Sequence, residues 1–269
     1  MNQLKKDIIE SKPQLAPHEY ARAPVTALAI DYRDGEHVPR HRHRRAQLLY
    51  AIAGVMTVQA EGGIWVAPPT RGIWLPAGMA HSIRMHGQPR VRTVFVAPRA
   101  ASHLPDRCSV LAVGPLLREL IVAATRVPPD WRPGGRDARL MALLLDEIRL
   151  EPALPLHLPQ PDEPRVARVC RGILRDPGAA RGLGEWAAEL GVTAKTVQRL
   201  FVRHTGMTFG RWRQQACLLR AMQRLAEGQR VVDVALESGY DSPSAFAAMF
   251  RRAVGEPPSA FAARREPPA

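Results

Sequence analysis

Cysteine is scarce in this chain of 269 residues, and the three that it has lie far apart. Cys108, Cys170 and Cys217 form no CxxC pair, which argues against a thiolate zinc site and against a disulfide framework. Isolated, reduced thiols are typical of the cytoplasm, where we expect this protein to reside.

Long apolar runs are also missing. No stretch approaches the ~18 apolar residues that a membrane-spanning helix needs, and the first residues, MNQLKKDIIESKPQ, lack the apolar core of a secretory signal. We therefore expect no association with a membrane. Because 46% of the residues are apolar and 23% are charged, the composition is that of folded domains, and the length suits one or two of them.

Positive charge is abundant, but it is spread along the whole chain. The net charge is +13, and a basic protein favours anionic partners such as nucleic acid. Residues 160–269 hold 17 Lys and Arg against 11 Asp and Glu, a net of +6, and the rest of the chain carries +7. The charge therefore does not indicate which half would bind DNA.

The composition and the hydrophobic pattern change several times along the sequence and together predict an α+β protein. Residues 1–24 are polar and proline-containing, as in an N-terminal arm. Residues 25–109 alternate short apolar runs with turn signals, which predicts a small β-barrel or jelly roll. Residues 110–150 hold two amphipathic helices that either cap the barrel or form a dimer interface. Five prolines mark residues 151–164 as a linker, and residues 165–265 are helical throughout.

A helix-turn-helix motif is predicted over residues 183–205, LGEWAAELGVTAKTVQRLFVRHT. Gly191 suits the left-handed turn between its two helices, and Thr193 can cap the second one. That helix has a polar, basic face, as expected of a recognition helix in the major groove, although an ordinary amphipathic helix would show the same pattern. The side chains that we assign to DNA binding are Thr193, Lys195, Thr196, Gln198, Arg199 and Arg203.

A second helix-turn-helix motif is predicted over residues 231–254, after a long helix from about Phe209 to Glu227. Gly239 would provide the turn, and Asp241 or Ser242 the cap. Pro243 falls in the first turn, where its missing N–H is harmless. A stiff spacer helix can hold two recognition helices about one DNA turn apart, on the order of 34 Å.

The segment 183–261 resembles the C-terminal domain of the AraC/XylS transcription regulators. The diagnostic part is the second motif with its tail, VVDVALESGYDSPSAFAAMFRRAVGEPPSAF. The residues that carry the resemblance are Ala235, Gly239, Tyr240, Ser242, Ser244, Phe246, Phe250, Arg251, Gly255, Pro258 and Phe261. It implies a sequence-specific regulator of promoter DNA that acts as a homodimer, with RNA polymerase as a further partner. It places base contacts on Lys195, Gln198 and Arg199 in the first motif and on Pro243, Ser244 and Ala248 in the second.

The second recognition helix departs from family members that carry an Arg at the position of Ala248. An alanine side chain can contact only a thymine methyl group. We therefore expect the first helix to supply most of the hydrogen-bonded base readout. The second would position the protein on the DNA phosphates, through Ser242, Ser244, Arg251 and Arg252.

The first half contains Gly35-x5-His41-x-His43-x3-Gln47-x6-Gly54, followed by Pro76-x-Gly78-x2-His81. This resembles the two motifs of cupin barrels, with Gln47 where glutamate is usual and Met85 where asparagine is usual. On a strand, His41 and His43 point to one face, and a neighbouring strand can bring His81 close. The metal set that the resemblance implies is His41, His43, Gln47 and His81, and the effector pocket that we predict adds Tyr50 and Trp74.

Several functions of this first half stay open. Three imidazoles and an oxygen donor suit a divalent metal ion, although the neutral Gln47 removes one charge. A metal-free pocket could bind a small-molecule effector instead, or the half could only dimerise. A metal-dependent cupin enzyme fused to a DNA-binding domain is the alternative from another class. The preferred interpretation is a regulator without enzymatic activity, controlled by a small molecule or a metal ion sensed in the barrel.

Overall fold

The structure is a computed structural model that describes residues 12–149, 156–179 and 181–264. It divides into two compact units, of which the first contains most of residues 12–149 and the second contains Gly62–Ile64 and Leu156–Ala263. Each unit is described by itself. The expected α+β architecture, with an N-terminal β-barrel followed by a helical domain, is confirmed.

The first unit is built on two antiparallel sheets. The first sheet has the order β1, β8, β3, β6, β9, and the second sheet contains β5, β4, β7 and β2 in that order. The strands are β1 (Val25–Asp31), β2 (His37–His41), β3 (Ala46–Ala51), β4 (Val55–Ala60), β5 (Gly63–Ala67), β6 (Arg71–Leu75), β7 (His81–His86), β8 (Arg90–Val96) and β9 (Ser109–Ala112). The boundary expected between residues 109 and 110 thus falls inside β9, which pairs with β6.

The residues of the first sheet alternate between two cores, as the period of two along a strand requires. Along β3, Leu49 and Ala51 belong to the core inside the barrel. Leu48 and Tyr50 belong to a second core outside the sheet. Because both faces of β3 are buried, all six of its residues lie out of solvent.

Two helices, α2 (Pro115–Ala124) and α3 (Arg136–Glu147), cover the outer core. Each follows a glycine in extended conformation, and α2 has a proline in its first turn, where no N–H is needed. Leu117 and Ile121 of α2 and Leu144 of α3 are buried in that core. The two predicted amphipathic helices therefore exist and pack on the barrel, while Leu116 and Leu143 stay 53% and 44% exposed.

Residues 12–24, the described part of the segment before β1, are folded, in contrast to the loose arm that the sequence suggests for 1–24, of which 1–11 lie outside the described residues. A 3-10 turn at Pro13–Leu15 leads into the short helix α1 (Ala16–Glu19). Leu15 is buried in the barrel core. The guanidinium of the buried Arg45 holds the following chain, because it donates hydrogen bonds to the carbonyls of Ala21, Ala23 and Pro24 at 2.7–3.0 Å.

The second unit is helical apart from one short strand, β10 (His157–Pro159), which lies within the expected linker and whose His157 ring contacts the Gly62 carbonyl of the same unit at 3.2 Å. The helices are α4 (Pro164–Arg175), α5 (Leu183–Glu189), α6 (Ala194–Thr205), α7 (Phe209–Ala226), α8 (Val231–Glu237), α9 (Pro243–Val254) and α10 (Pro258–Ala263). The long helix α7 runs through the centre of the unit and buries Trp212 completely. The Trp212 ring N–H donates to the Pro159 carbonyl at 2.9 Å, so the proline-rich segment is tied to the helical core.

Candidate DNA interface and histidine centre

The first helix-turn-helix consists of α5 and α6. Gly191 has φ 63°, the left-handed conformation that glycine adopts without strain, and it ends α5. The Val192 N–H then donates to the Ala187 carbonyl at 3.0 Å and closes the turn. Thr193 caps α6, because its hydroxyl oxygen accepts the Thr196 N–H at 3.2 Å. The turn and cap that the sequence predicts are thus present.

The second helix-turn-helix, α8 and α9, repeats the same set of interactions. Gly239 has φ 78°, and the Tyr240 N–H donates to the Ala235 carbonyl at 3.1 Å. Ser242, the second of the two expected candidates, is the cap, and its hydroxyl accepts the Ala245 N–H at 3.2 Å. The turn is one residue longer than in the first motif, since two residues instead of one separate the glycine from the cap.

The two recognition helices, α6 and α9, each contain 12 residues and end at a left-handed glycine, Gly206 and Gly255. Counting from the caps therefore aligns them without a gap. Buried residues align with buried residues: Val197 with Phe246, Leu200 with Met249 and Phe201 with Phe250. On the outer face, Lys195 aligns with Ser244, Gln198 with Ala247, Arg199 with Ala248 and Arg203 with Arg252.

The outer face of α6 is polar, whereas that of α9 is mostly small and apolar. Lys195, Arg199 and Arg203 are exposed, and Thr196 and Gln198 are half-buried beside them. On α9 the exposed residues before the last turn are Pro243, Ser244, Ala245 and Ala248, and Arg251 and Arg252 follow. Before the last turn, the exposed side chains long enough to reach base edges therefore lie on α6.

Cations on these faces are available to a ligand, while several others in the unit are not. Arg224 pairs with Glu237 and Glu227, and Arg230 pairs with Asp233. Within the described residues, no ion pair involves the recognition-helix cations Lys195, Arg199, Arg203, Arg251 and Arg252. This leaves their charges free to neutralise phosphates.

The histidine centre lies in the first unit, where β2 pairs with β7. The register places His41 directly opposite His81, after an irregularity in the pairing that follows Val38. His43 lies just beyond β2, and its carbonyl accepts the Gly78 N–H at 2.7 Å, which joins it to the loop before β7. The ring centroids of His41 lie 4.9 Å from His43 and 4.3 Å from His81. One nitrogen from each ring lies within 4.8 Å of the others.

Each ring of the centre is oriented through its Nδ1 atom. The Nδ1 atoms of His41 and His81 lie 2.7 Å from the Pro39 carbonyl and 3.0 Å from the Met79 carbonyl. The Nδ1 atom of His43 lies 3.2 Å from a Glu19 carboxylate oxygen. Because carbonyl oxygens accept hydrogen bonds, these contacts fix the proton on Nδ1 of His41 and His81 and leave Nε2 with its lone pair, whereas the contact of His43 with Glu19 is an electrostatic approach without a hydrogen bond.

Burial favours the uncharged form of His41 and His81. Desolvation, with the field of His43, lowers the pKa of His41 to about 4. Desolvation, with the field of His41, also lowers the pKa of His81 well below its usual range. The Nε2 atom of His81 is buried and has no hydrogen-bond partner among the described residues. Neutral imidazoles with free Nε2 lone pairs are the form in which histidine binds divalent metal ions.

Gln47 faces the barrel interior, but it is engaged elsewhere. It lies on the same face of β3 as Leu49, and its amide nitrogen donates to the Thr93 hydroxyl at 2.9 Å. The Gln47 amide oxygen is buried and accepts no hydrogen bond from any described residue. Gln47 therefore presents an uncharged amide oxygen, a potential metal ligand, inside the barrel.

The expectation that Tyr50 and Trp74 line the same pocket is wrong. Both belong to the outer core beneath the helices, because they alternate with Gln47 and Leu75 along their strands. Their polar atoms are satisfied there: Tyr50 donates to the Pro69 carbonyl and Trp74 to the Pro105 carbonyl, each at 2.9 Å. Both side chains are therefore structural.

Glu19 is a site residue that the sequence did not reveal. It is buried, and besides contacting His43 it accepts the Arg44 N–H. The contact joins residues 24 positions apart, so no local spacing points to it. The signal available was a carboxylate in a short segment ahead of the first strand, which is too common to be diagnostic.

A barrel with a buried ligand-competent centre and a helical unit with two helix-turn-helix motifs define a DNA-binding transcription regulator with a sensor domain. Residues 23–175 match the family described as AraC-like ligand binding domain, and residues 186–264 match the helix-turn-helix domain family. The chain belongs to the AraC-type transcriptional regulators, as the resemblance of its second motif implied.

The chain is similar over most of its length to a characterised regulator. It is 34% identical over 226 residues to the HTH-type transcriptional regulator NimR of Escherichia coli, which covers 84% of this chain and 82% of that protein. It is also 30% identical over 131 residues to the HTH-type transcriptional regulator RipA of Corynebacterium diphtheriae, covering 48% of this chain and 37% of that protein.

Among solved structures, ToxT from Vibrio cholerae is similar across 90% of this chain and 98% of its own, at 10% identity and a TM-score of 0.38. A score this low does not define a shared arrangement.

Among the described residues, no helix is both long enough and apolar enough to cross a bilayer.

Proposed function

We propose that this AraC-type regulator senses a divalent metal ion at the histidine centre and converts its binding into a change in promoter occupancy. The main support is that three buried histidines, His41, His43 and His81, converge, with one nitrogen of each ring within 4.8 Å of the others. The Nδ1 atom of each ring also contacts a carbonyl or carboxylate oxygen. Rings fixed in this way lose little freedom when a ligand binds, which favours affinity.

The donor set fits a borderline metal better than a hard one. Three imidazole nitrogens suit Zn²⁺, Ni²⁺ or Cu²⁺, whereas Mg²⁺ and Ca²⁺ prefer oxygen ligands. The Nε2 atoms of His41, His43 and His81 would hold the ion, and the Gln47 amide oxygen is an additional neutral donor. A bound ion would supply a positive charge among the three rings.

DNA binding by the helical unit would respond through a shift between DNA-competent and incompetent states. We propose a homodimer that uses α2 and α3, where the exposed Leu116 and Leu143 offer apolar surface. Dimerisation would place two helical units on repeated half-sites, and RNA polymerase is a further proposed partner. A regulatory role without catalysis is consistent with relatives that are named transcriptional regulators.

A metal-free pocket for a small organic effector is the second candidate. It is favoured by the unpartnered buried His81 Nε2 atom and Gln47 amide oxygen, which a polar ligand could satisfy by hydrogen bonding. It differs from the first candidate in predicting that metal ions alone leave DNA binding unchanged.

Selection of bound DNA from a random pool, with Zn²⁺, Ni²⁺, Cu²⁺ or chelator present, tests this function. The expected result is one operator sequence whose occupancy changes with one of these metals in the wild-type protein but not in His81→Ala. The matched control is His86→Ala, which removes another buried histidine of β7 whose ring contacts Thr57 instead of the centre. Occupancy that ignores all metals would refute metal sensing and favour the organic effector.

A further inference from the structure

A buried carboxylate outside the barrel motif touches the histidine centre. Glu19, at the end of α1, and His43 are both only about 5% exposed and lie 3.2 Å apart. The second carboxylate oxygen of Glu19 accepts the backbone N–H of Arg44, the residue next to His43. The hydrogen bond to Arg44 holds one carboxylate oxygen, and the other lies beside His43 Nδ1 without forming a hydrogen bond.

The segment that carries Glu19 is anchored on both sides. Ahead of α1, Leu15 is buried in the barrel core, and Lys12 forms an ion pair with Glu36 at 3.0 Å. After α1, Arg45 binds the carbonyls of Ala21, Ala23 and Pro24. Glu19 therefore reaches His43 from a segment that is fixed independently of the centre.

The carboxylate also supplies charge that the strand motif lacks. Gln47, which faces the barrel interior, is neutral and donates to Thr93. Glu19 acts electrostatically on His41 as well as contacting His43, so its negative charge acts on two of the three rings. A cation held by three neutral imidazoles gains from an anion at this distance, because burial weakens screening.

We infer that Glu19 is a positioning residue for metal binding: its carboxylate charge beside Nδ1 favours the His43 proton on that atom, which leaves the Nε2 lone pair to the ion, and it provides negative charge from outside the strand motif. This inference rests on the proposed function, since it takes His43 as a metal ligand. Partners of this kind behind a ligating histidine are typically worth 10–100-fold in metal affinity.

The informative substitution is Glu19→Gln, which keeps the shape and removes the charge. When the carbonyl oxygen of the new amide accepts the Arg44 N–H, the amide nitrogen faces His43 and donates to Nδ1, so the imidazole proton moves to Nε2 and blocks the ion. We expect Zn²⁺ affinity, measured by competition with a chromophoric chelator, to fall about 10–100-fold. The ¹⁵N spectrum of the metal-free variant should show the His43 proton on Nε2.

The matched control is Glu36→Gln, which removes the other described acidic tie of the same segment without touching a histidine. It should leave both the Zn²⁺ affinity and the His43 tautomer as in the wild type. Equal loss of affinity in the two variants would overturn the inference, because loosening of the segment would then explain both.

The tautomer of the wild-type protein decides the matter even if Glu19→Gln fails to fold. A proton on His43 Nδ1 in the metal-free protein supports the inference, and a bare Nδ1 overturns it. Failure of the proposed function gives a different result. Wild-type protein that binds no metal ion would refute metal sensing. The tautomer of His43 would still show whether Glu19 determines which nitrogen carries the proton.

Discussion

The two helix-turn-helix motifs share one scaffold and present different chemistry. Both have a seven-residue first helix, a left-handed glycine, a hydroxyl cap and a 12-residue recognition helix. Yet Gln198 and Arg199 of the first motif align with Ala247 and Ala248 of the second. The stronger family signature thus lies in the motif with fewer long polar side chains on its outer face, for which we predict the weaker base readout.

The difference extends to what surrounds each motif. The turn of the second motif is packed against the loop that follows α4: Gly178 and Gly239 approach so closely that a Cβ on Gly178 would overlap the Glu237 carbonyl oxygen. That loop is also tied to α7, since the Cys217 thiol and the Arg213 side chain both donate to the Pro177 carbonyl. By contrast, a Cβ on Gly191, in the turn of the first motif, would meet nothing within 4 Å.

The largest expected effect is that of Gly178→Ala. The added methyl group meets a backbone oxygen, which cannot rotate away as a flexible side chain could, so the α8–α9 turn must shift. We expect the free energy of unfolding to fall by about 3 kcal/mol, the upper end for overpacking. Urea denaturation of the full chain measures it, and DNA affinity should fall as well because the second motif moves.

The control is Gly184→Ala in α5, where a Cβ would meet nothing within 4 Å. Alanine is favoured over glycine inside a helix, so this variant should be more stable by about 0.5–1 kcal/mol. If Gly178→Ala were equally harmless, the second motif would not depend on its packed turn, and this part of the comparison would be wrong.

The next largest effect concerns base readout, and we expect it to differ between the two recognition helices. Arg199→Ala should cost about 1–3 kcal/mol of binding free energy at one base pair and relax the preference there. Ala248→Gly, at the aligned position, should hardly change base preference, because at most a contact with a thymine methyl group can be lost and no hydrogen bond. Selection of bound sequences for each variant measures both effects. Equal changes in preference would contradict the asymmetry between the motifs.

Much of the helical unit could be predicted from the sequence because its determinants are local. Gly191 and Gly239 adopt φ > 0 as a turn requires, and Thr193 and Ser242 cap helices that start at the next residue. These signals depend on spacing within a few residues, which a sequence displays directly. The short strand at His157–Pro159 could not be predicted in this way, because Gly62, which it contacts within the same unit, is far away along the chain.

The histidine centre was predictable only in part. The period of two along a strand indicates that His41 and His43 can converge, but it does not say which face of β3 is the interior when both faces are buried. The expectation for Tyr50 is wrong for that reason. The contact of Glu19 with His43 depends on a fold-back of the N-terminal segment, for which the sequence has no local signal.

Substitution of the two helix caps tests whether the two motifs, which have the same geometry, also contribute equally to the free energy of unfolding. Thr193→Ala and Ser242→Ala each remove one acceptor for a first-turn N–H, at 3.2 Å in both motifs. We expect each to lower the free energy of unfolding by about 1 kcal/mol. Urea denaturation of both variants gives the comparison. A loss confined to one motif would show that the shared scaffold is not equally stable in its two copies.

The smallest effect concerns the cations that the two motifs share, Arg203 and its aligned partner Arg252. Both are exposed near the end of a recognition helix and lack an ion pair among the described residues. If each neutralises one phosphate, Arg203→Gln and Arg252→Gln should each reduce the slope of log affinity against log salt by about 0.9 without altering base preference. Equal changes would mean that the motifs contribute alike to the phosphate contacts and differ only in reading bases. A change for Arg252 alone would instead assign to the second motif the positioning role that its small, apolar outer face suggests.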